Sequence, residues 1–169
     1  PYPRIWVPGV ISKETIVWAA KQRYPYVALN TSIEQTKQIW DFYDSIAREV
    51  GYESGPENRG YLIQTHIADT EEKARENAKQ VRWMQGEFTG LAHPVWSTPS
   101  GYSSPSNRRA FVEFAAGLKS NPRGQTTFDQ QVDDMRIIYG TPDQVIAKLK
   151  IILEQTRPGI LALWGNDGM

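Results

Sequence analysis

Short apolar runs alternate along the chain with segments of helical periodicity. Each run has the length of a short β-strand, and each periodic segment repeats apolar residues three or four positions apart, as an amphipathic helix does. This alternation is typical of βα units that build a parallel sheet, so the predicted fold class is α/β. The predicted strands are Ile5 to Val7, Tyr26 to Leu29, Tyr61 to Ile67, Arg136 to Tyr139 and Ile160 to Trp164. The predicted helices run from Ser12 to Gln22, Ile33 to Val50, Thr70 to Gln85 and Pro142 to Thr156.

The third predicted strand is the longest, and polar and apolar residues alternate along part of it. Alternation predicts that Gln64 and His66 share one face of the sheet, whereas Ile63, Thr65 and Ile67 face the surrounding helices. The two isoleucines decide this register, because apolar side chains need cover from solvent.

The starts of the predicted helices differ in how their free amide groups are satisfied. Residues 32–35 and 141–144 have the spacing of a capping box, in which the helix satisfies its own first N–H groups. The first helix has Ser12 but carries Thr15 where a capping box needs Glu or Gln. Its free N–H groups and two hydroxyls suit an anion. The alternative is that Ser12 is an ordinary N-cap and Thr15 a solvated residue.

A long stretch between the third helix and the fourth strand interrupts the alternation. It is rich in Gly, Pro, Ser and aromatic residues, with Thr98 to Pro105 at its centre. A connection of this length is usually a functional lid or a disordered excursion. We therefore expect one domain over residues 1–169 with an insertion at residues 91–125, and an ordered surface insertion without a role is the alternative.

Composition and charge exclude several function classes. Nineteen Lys and Arg balance nineteen Asp and Glu, so neither nucleic acid nor an anionic membrane is an expected partner. The 169 residues include no Cys and two His, which excludes disulfides and structural zinc, and we expect no metal site. No apolar run approaches the ~20 residues that cross a bilayer, and no signal peptide is evident. These features predict a soluble, cytoplasmic protein.

The two ends of the sequence suggest a piece of a longer polypeptide. The chain does not begin with Met, and its first residues run directly into the first predicted strand. Residues 165–169, which follow the last predicted strand, are too few for a covering helix. A natural short form is the alternative.

Three segments together resemble the bacterial-luciferase-like flavin-dependent monooxygenases. They are the strand–turn–helix of residues 5–20, the helix start at residues 69–74 and the Tyr-Gly-Thr-Pro-Asp-Gln-Val turn at residues 139–145. The resemblance covers nearly the whole chain and implies a (β/α)8 TIM barrel. The five predicted strands would be its fourth to eighth, in sequential neighbour order, with the insertion before the seventh.

The resemblance also implies a cofactor and partners. In the family, a Ser and a Thr three residues later hold the FMN phosphate, and these positions fall on Ser12 and Thr15, with the amide of Ile11 or Ser12 beside them. The implied reaction uses reduced FMN, supplied by a flavin reductase, and O2 to oxygenate a small organic substrate. Reduced flavin reacts with oxygen without a metal, which fits the composition. The full-length protein is expected to be a homo-oligomer.

Gln64 and His66 are the candidate catalytic residues. Alkanesulfonate monooxygenases of this family have an Arg and a His at the positions of Leu62 and Gln64, so the resemblance does not extend to their anion-binding chemistry. His66 lies two residues nearer the carboxyl end of the strand, where barrel enzymes place catalysis. A structural role for His66 is the alternative. The insertion matches the family's mobile loop, which closes over the flavin.

Three functions remain open from the sequence. The first is a C-terminal part of an FMN-dependent monooxygenase, and the second is an oxidoreductase on the same barrel that uses the deazaflavin F420. The third is a non-catalytic flavin-binding or truncated form. A five-stranded flavodoxin-like sheet is the structural rival, but the sequence has no Gly-x-Gly-x-x-Gly turn.

Overall fold

The chain divides into two units by its internal contacts, one of which holds the whole sheet. The structure is a computed structural model that describes residues 3–10, 12–80, 101, 104–106, 108–109, 112–113 and 126–165. The first unit comprises Pro1–Ala78 and Gln131–Met169, and the second comprises Lys79–Gln130. The predicted insertion at residues 91–125 lies, apart from eight scattered positions, outside the described residues, and so does Ile11.

Strands and helices alternate along the described chain. The strands are β1 (Val7–Gly9), β2 (Tyr26–Leu29), β3 (Arg59–Ile67), β4 (Ile137–Gly140) and β5 (Ile160–Trp164). The helices are α1 (Lys13–Lys21), α2 (Ile33–Glu49), α3 (Glu71–Gln80), α4 (Phe128–Asp133) and α5 (Pro142–Thr156), and a 3₁₀ turn spans Pro56–Asn58. The predicted bounds of β2, β5 and α5 agree with the structure, and the other predicted elements differ by a few residues at their described ends.

The first strand and two short helical elements differ from the sequence prediction. The first strand is Val7–Gly9 rather than Ile5 to Val7, and Ile5 and Trp6 are 47% and 48% exposed. The 3₁₀ turn and α4 were not predicted, because both are too short to show a helical period.

All five strands run parallel in one sheet, as predicted, but β5 has a different partner from the one expected. Strands β1 to β4 are neighbours in sequential order, whereas β5 pairs with β3 and not with β4. Along β3, strand β2 pairs with Arg59–Leu62, β5 with Gly60–Gln64 and β4 with Gln64–Ile67. The four-residue β4 occupies only the last part of β3, so the earlier part is available to β5. The predicted arc of sequential strands is therefore wrong at β5.

The hydrophobic core lies on one face of the sheet, between the strands and helices α1, α2 and α5. Its buried members include Ile16 and Ala19 of α1, Tyr43 of α2 and Ile152 of α5. Ile63 of β3 belongs to this core, as alternation predicts. Ile67 was expected to be covered on the same face but is 53% exposed, and it is the last residue of β3.

A pair of tyrosines fixes the carboxyl end of α1 against α2. The hydroxyl of Tyr43 donates to the carbonyl of Tyr24 at 2.8 Å, and the hydroxyl of Tyr52 donates to the carbonyl of Ala20 at 2.7 Å. The two hydroxyl oxygens are 3.1 Å apart. Because a helix is stiff, these bonds also set where the amino end of α1 lies.

In the second unit, a reciprocal pair of hydrogen bonds lies at the start of α4. The amide of Thr127 donates to Gln130 Oε1 at 2.8 Å, and the amide of Gln130 donates to Thr127 Oγ1 at 3.1 Å. This reciprocal pair caps α4. The ammonium of Lys79 lies 5.9 Å from the ring centroid of Phe128, which is buried.

A substitution at Gly60 tests how closely β2 and β3 pack. A Cβ added at Gly60 would lie 2.7 Å from Val27 Cγ2 and 3.2 Å from Val27 Cα. We expect Gly60→Ala to lower the free energy of unfolding by about 1–3 kcal/mol, the usual cost of overpacking. Urea denaturation measures the loss. Val27→Ala removes the clashing methyl group, so the double variant should lose less than the sum of the single variants. Additive losses would contradict this explanation.

Candidate functional site

The carboxyl ends of the parallel strands meet at one edge of the sheet. At this edge β1 continues through residues 10–12 into α1, β2 continues through Asn30 and Thr31 into α2, and β4 continues through Thr141 into α5. Gln64 and His66 lie in the last half of β3, toward the same edge. Parallel α/β sheets place their ligand sites at this edge, so the residues predicted from sequence lie where a site is expected.

The start of α1 brings the two predicted phosphate-binding hydroxyls together. Ser12 is the N-cap, and its Oγ accepts from the amide of Thr15 at 3.4 Å. The hydroxyl of Thr15 donates to Ser12 Oγ at 2.9 Å, so the two oxygens form a close pair at the first turn. Ser12 Oγ in turn lies 3.4 Å from the carboxylate of Glu14. Ser12 is exposed and Thr15 is half-buried, which leaves the pair open to solvent.

The starts of α2 and α5 are closed by their own side chains. The amide of Ser32 donates to Gln35 Oε1 at 3.3 Å, and the amide of Gln35 donates back to Ser32 Oγ at 3.2 Å. At α5 the amide of Thr141 donates to Gln144 Oε1 at 2.9 Å. Each of these helices uses a glutamine at the third position, where α1 has Thr15. The difference predicted from sequence is therefore present in the structure.

Strand register places Gln64 and His66 on the face of the sheet opposite the helix-covered core. Partners in a parallel ladder point to the same side, and Gln64 is paired with Ile137 and Trp164, whereas His66 is paired with Tyr139. Gln64 is 1% exposed and His66 is 3% exposed.

His66 is the most unusual polar residue of this face. Neither of its ring nitrogens has a hydrogen-bond partner in the part of the chain that the structure describes. Burial lowers the pKa of His66 from its ordinary value of 6.5, so the ring is neutral at pH 7, with one donor and one acceptor nitrogen. A buried polar group without a partner costs about 1–3 kcal/mol, which makes His66 a candidate for contact with a ligand.

Asn30 is a site residue that sequence reasoning missed. It follows β2 in the left-handed conformation, with φ of 51°, and its Oδ1 accepts from the amide of Gln64 at 3.4 Å. The contact fixes the backbone of β3 at the point where β2 ends. An Asn directly after a predicted strand was the available signal, since Asn tolerates this conformation better than most residues.

The predicted site residues form two groups. Ser12 and Thr15 are in contact, and Gln64 and His66 share one sheet face, but no hydrogen bond between the described residues joins the two groups. Ile11, the third predicted cofactor contact, lies outside the described residues. The pair at α1 presents two hydroxyl groups, and His66 on β3 presents ring nitrogens without a partner among the described residues.

Residues 1–157 match the sequence model of the luciferase-like monooxygenases. The chain belongs to this family. The resemblance seen in the three sequence segments is thereby confirmed. A comparison with curated protein sequences found no match.

Solved structures share the fold of this luciferase-like chain at low sequence identity. The oxygenating constituent of 3,6-diketocamphane monooxygenase from Pseudomonas putida, in complex with FMN, is 19% identical with a TM-score of 0.64, covering 98% of this chain and 43% of that one. EDTA monooxygenase from Chelativorans sp. BNC1 is 15% identical with a TM-score of 0.60, covering 96% and 39%. An F420-dependent secondary alcohol dehydrogenase in complex with an F420-acetone adduct is 12% identical with a TM-score of 0.59, covering 98% and 44%.

These likenesses establish an α/β fold with a parallel sheet. The luciferase-like chain spans less than half the length of each of the three proteins. The assignment of its strands as the fourth to eighth of a barrel stays a prediction. Among the described helices, none combines the length and the apolar character needed to cross a membrane.

The lowered pKa of His66 predicts a pH dependence of stability. The folded protein binds a proton at His66 less readily than the unfolded chain, so the free energy of unfolding should fall as the pH drops below about 6.5. One such group contributes at most about 1.4 kcal/mol per pH unit. We expect His66→Leu to lose this part of the pH dependence in denaturation experiments between pH 7 and pH 5. His93→Gln removes the other histidine and serves as the control. Equal pH slopes in wild type and His66→Leu would contradict the prediction.

Proposed function

We propose that this chain is part of a flavin-dependent monooxygenase that uses reduced FMN and O2 to oxygenate a small organic substrate. A separate flavin reductase supplies the reduced FMN, and the intact protein is a homo-oligomer. The observation that carries the proposal is the hydroxyl pair of Ser12 and Thr15 at a helix start without a capping box. Membership of the luciferase-like monooxygenases and the likeness to an FMN complex support it.

The start of α1 fits a phosphate group. Its first amides lack the glutamine that closes α2 and α5, and the helix dipole favours negative charge at this end. Both hydroxyls can rotate to donate to phosphate oxygens, because the bond between them is a local one that a stronger acceptor replaces. Lys13 is exposed at the first helical position and adds a positive charge nearby.

Glu14 is the local feature that opposes a phosphate at this position. Its carboxylate lies 3.4 Å from Ser12 Oγ and would repel an anion there. The side chain is exposed on the first turn, where water and salt screen its charge. Two hydroxyls, the amino end of the helix and Lys13 together outweigh one screened carboxylate, and we conclude that the residues fit the group.

Different residues of this chain have different roles in such an enzyme. Ser12 and Thr15 bind the phosphate and so fix one end of the cofactor at the carboxyl edge of the sheet. His66 offers a neutral donor and acceptor on the sheet face, and Asn30 holds the adjacent backbone of β3. Reduced FMN, when bound, supplies the reaction with oxygen, and a buried apolar surface excludes water from it.

F420-dependent hydride transfer is the second candidate function. The likeness to the F420-dependent alcohol dehydrogenase favours it, since that protein has a TM-score of 0.59. The absorption spectrum of the cofactor that co-purifies with the intact polypeptide distinguishes the two candidates. An intact protein that binds flavin but shows no turnover with any electron donor would favour a non-catalytic flavin-binding role.

The hydroxyl pair provides the test of the FMN proposal. We expect Ser12→Ala/Thr15→Ala to weaken FMN binding by the intact polypeptide, because each hydrogen bond to a charged group contributes ~1.5–3 kcal/mol. The expected loss for the pair is therefore about 3 kcal/mol, or roughly a hundredfold in Kd, measured by quenching of flavin fluorescence.

Ser32→Ala is the matched control, since it removes the N-cap hydroxyl of a neighbouring helix. It should cost about 1 kcal/mol of stability, as N-cap losses do, and leave the Kd for FMN unchanged. Unchanged affinity in the Ser12/Thr15 double variant would overturn the phosphate site, and an equal loss in Ser32→Ala would reduce it to a general effect of destabilisation.

A further inference from the structure

The sheet face opposite the core presents uncharged side chains toward the carboxyl ends of its strands. By strand register this face carries Leu62, Gln64, His66, Ile137, Tyr139 and Trp164. Ile137 is buried like Gln64 and His66, and Leu62 and Tyr139 are half-buried. A molecule bound here contacts mainly carbon, with neutral polar groups at Gln64 and His66.

His66 has no hydrogen-bonding partner among the described residues. Both ring nitrogens are buried and without a partner. A neutral imidazole donates from one nitrogen and accepts at the other, so a carbonyl or hydroxyl oxygen satisfies it. A ligand with such an oxygen gains the hydrogen bond without losing one that the protein already makes.

Two cations close to β4, within the described part of the chain, are already engaged by protein groups. Arg136, just before β4, donates through its guanidinium to Gln35 Oε1 at 3.1 Å, on the helix-covered side. Lys148 reaches Tyr139, where its Nζ donates to the backbone carbonyl at 2.7 Å and lies 4.7 Å from the ring centroid. Among the described residues of these strands and of α5, an anion on this face would therefore have to displace an existing bond of Lys148 or remain unpaired, and both are unfavourable.

We propose that this face takes an uncharged substrate with an apolar skeleton and one oxygen atom that hydrogen-bonds to His66. The inference rests on the proposed function, since it treats this face as the substrate side of the monooxygenase. Sulfonates and polycarboxylates find no matching free charge among the described residues of this face, and a plain hydrocarbon gives His66 no hydrogen bond.

The test compares three probes of similar shape on the intact polypeptide. These are cyclohexanone, cyclohexanesulfonate and methylcyclohexane, and binding of each probe to the wild type and to every variant is followed by the probe's own NMR signals, with and without FMN. We expect cyclohexanone to bind at least tenfold more tightly than the sulfonate. His66→Leu should lower the ratio of ketone to hydrocarbon affinity by about five- to tenfold, the effect of one neutral hydrogen bond.

A pair of arginine variants tests the role of charge. Leu62→Arg places a cation on the proposed face and should tighten cyclohexanesulfonate binding at least tenfold. Leu163→Arg is the control, because Leu163 pairs with Ile63 on the opposite face and is 51% exposed, and it should leave sulfonate binding unchanged. Equal gains in both variants would show a general charge effect and would contradict the assignment of the face.

Three results would overturn the inference. The first is sulfonate binding as tight as ketone binding in the wild type, above all if Lys148→Met abolishes the sulfonate binding. The second is the absence of ketone binding. The third is a ratio of ketone to hydrocarbon affinity that is unchanged in His66→Leu. Failure of the proposed function looks different, since it appears as FMN binding that is absent or independent of Ser12 and Thr15. A protein that binds FMN through these hydroxyls but prefers the sulfonate would keep the proposed function and lose this inference.

Discussion

Three strands depend on the backbone hydrogen bonds of one strand, β3. Strand β2 pairs with the first residues of β3, strand β5 with its middle and strand β4 with its last residues. Because β2 and β5 share Gly60 to Leu62 as partners, they must lie on opposite edges of β3. The amide of Gly159 also bonds to the carbonyl of Arg59, which ties the start of β5 to the start of β3. The position of every other strand, and of the helix that follows it, is therefore defined relative to this nine-residue segment.

The same strand separates two chemically different surfaces. On one face its side chains, Tyr61 and Ile63, join the apolar core beneath α1, α2 and α5. On the other face Gln64 and His66 are buried as polar residues. A parallel strand that is buried on both faces usually has a continuous apolar sequence. Polar residues at these positions therefore lower the free energy of unfolding, which points to a functional role.

Local features of the structure could be predicted from the sequence, and long-range ones could not. The helix starts at Ser12 and Ser32 depend on residues three positions apart, so their different capping is visible in the sequence. The pairing of β5 with β3 depends on which part of β3 the short β4 leaves unpaired, and no sequence pattern records that. The contact of Asn30 with Gln64 joins residues 34 positions apart and was missed for the same reason. The first strand was placed too early because exposed Ile5 and Trp6 carry the same apolar signal as a buried strand.

The unequal pairing of β1 and β3 has a consequence for hydrogen exchange. Strand β1 has three residues and one partner among the described strands, and its first amide bonds to the carbonyl of Pro25 at 2.9 Å. Such a strand opens in local fluctuations, whereas the middle of β3, which pairs with β2 on one edge and β5 on the other, exchanges mainly when the whole sheet opens. Strand β1, which leads toward α1, and the middle of β3 therefore belong to regions of different protection. A change at the proposed phosphate site can then proceed on a faster timescale than opening of the sheet around β3.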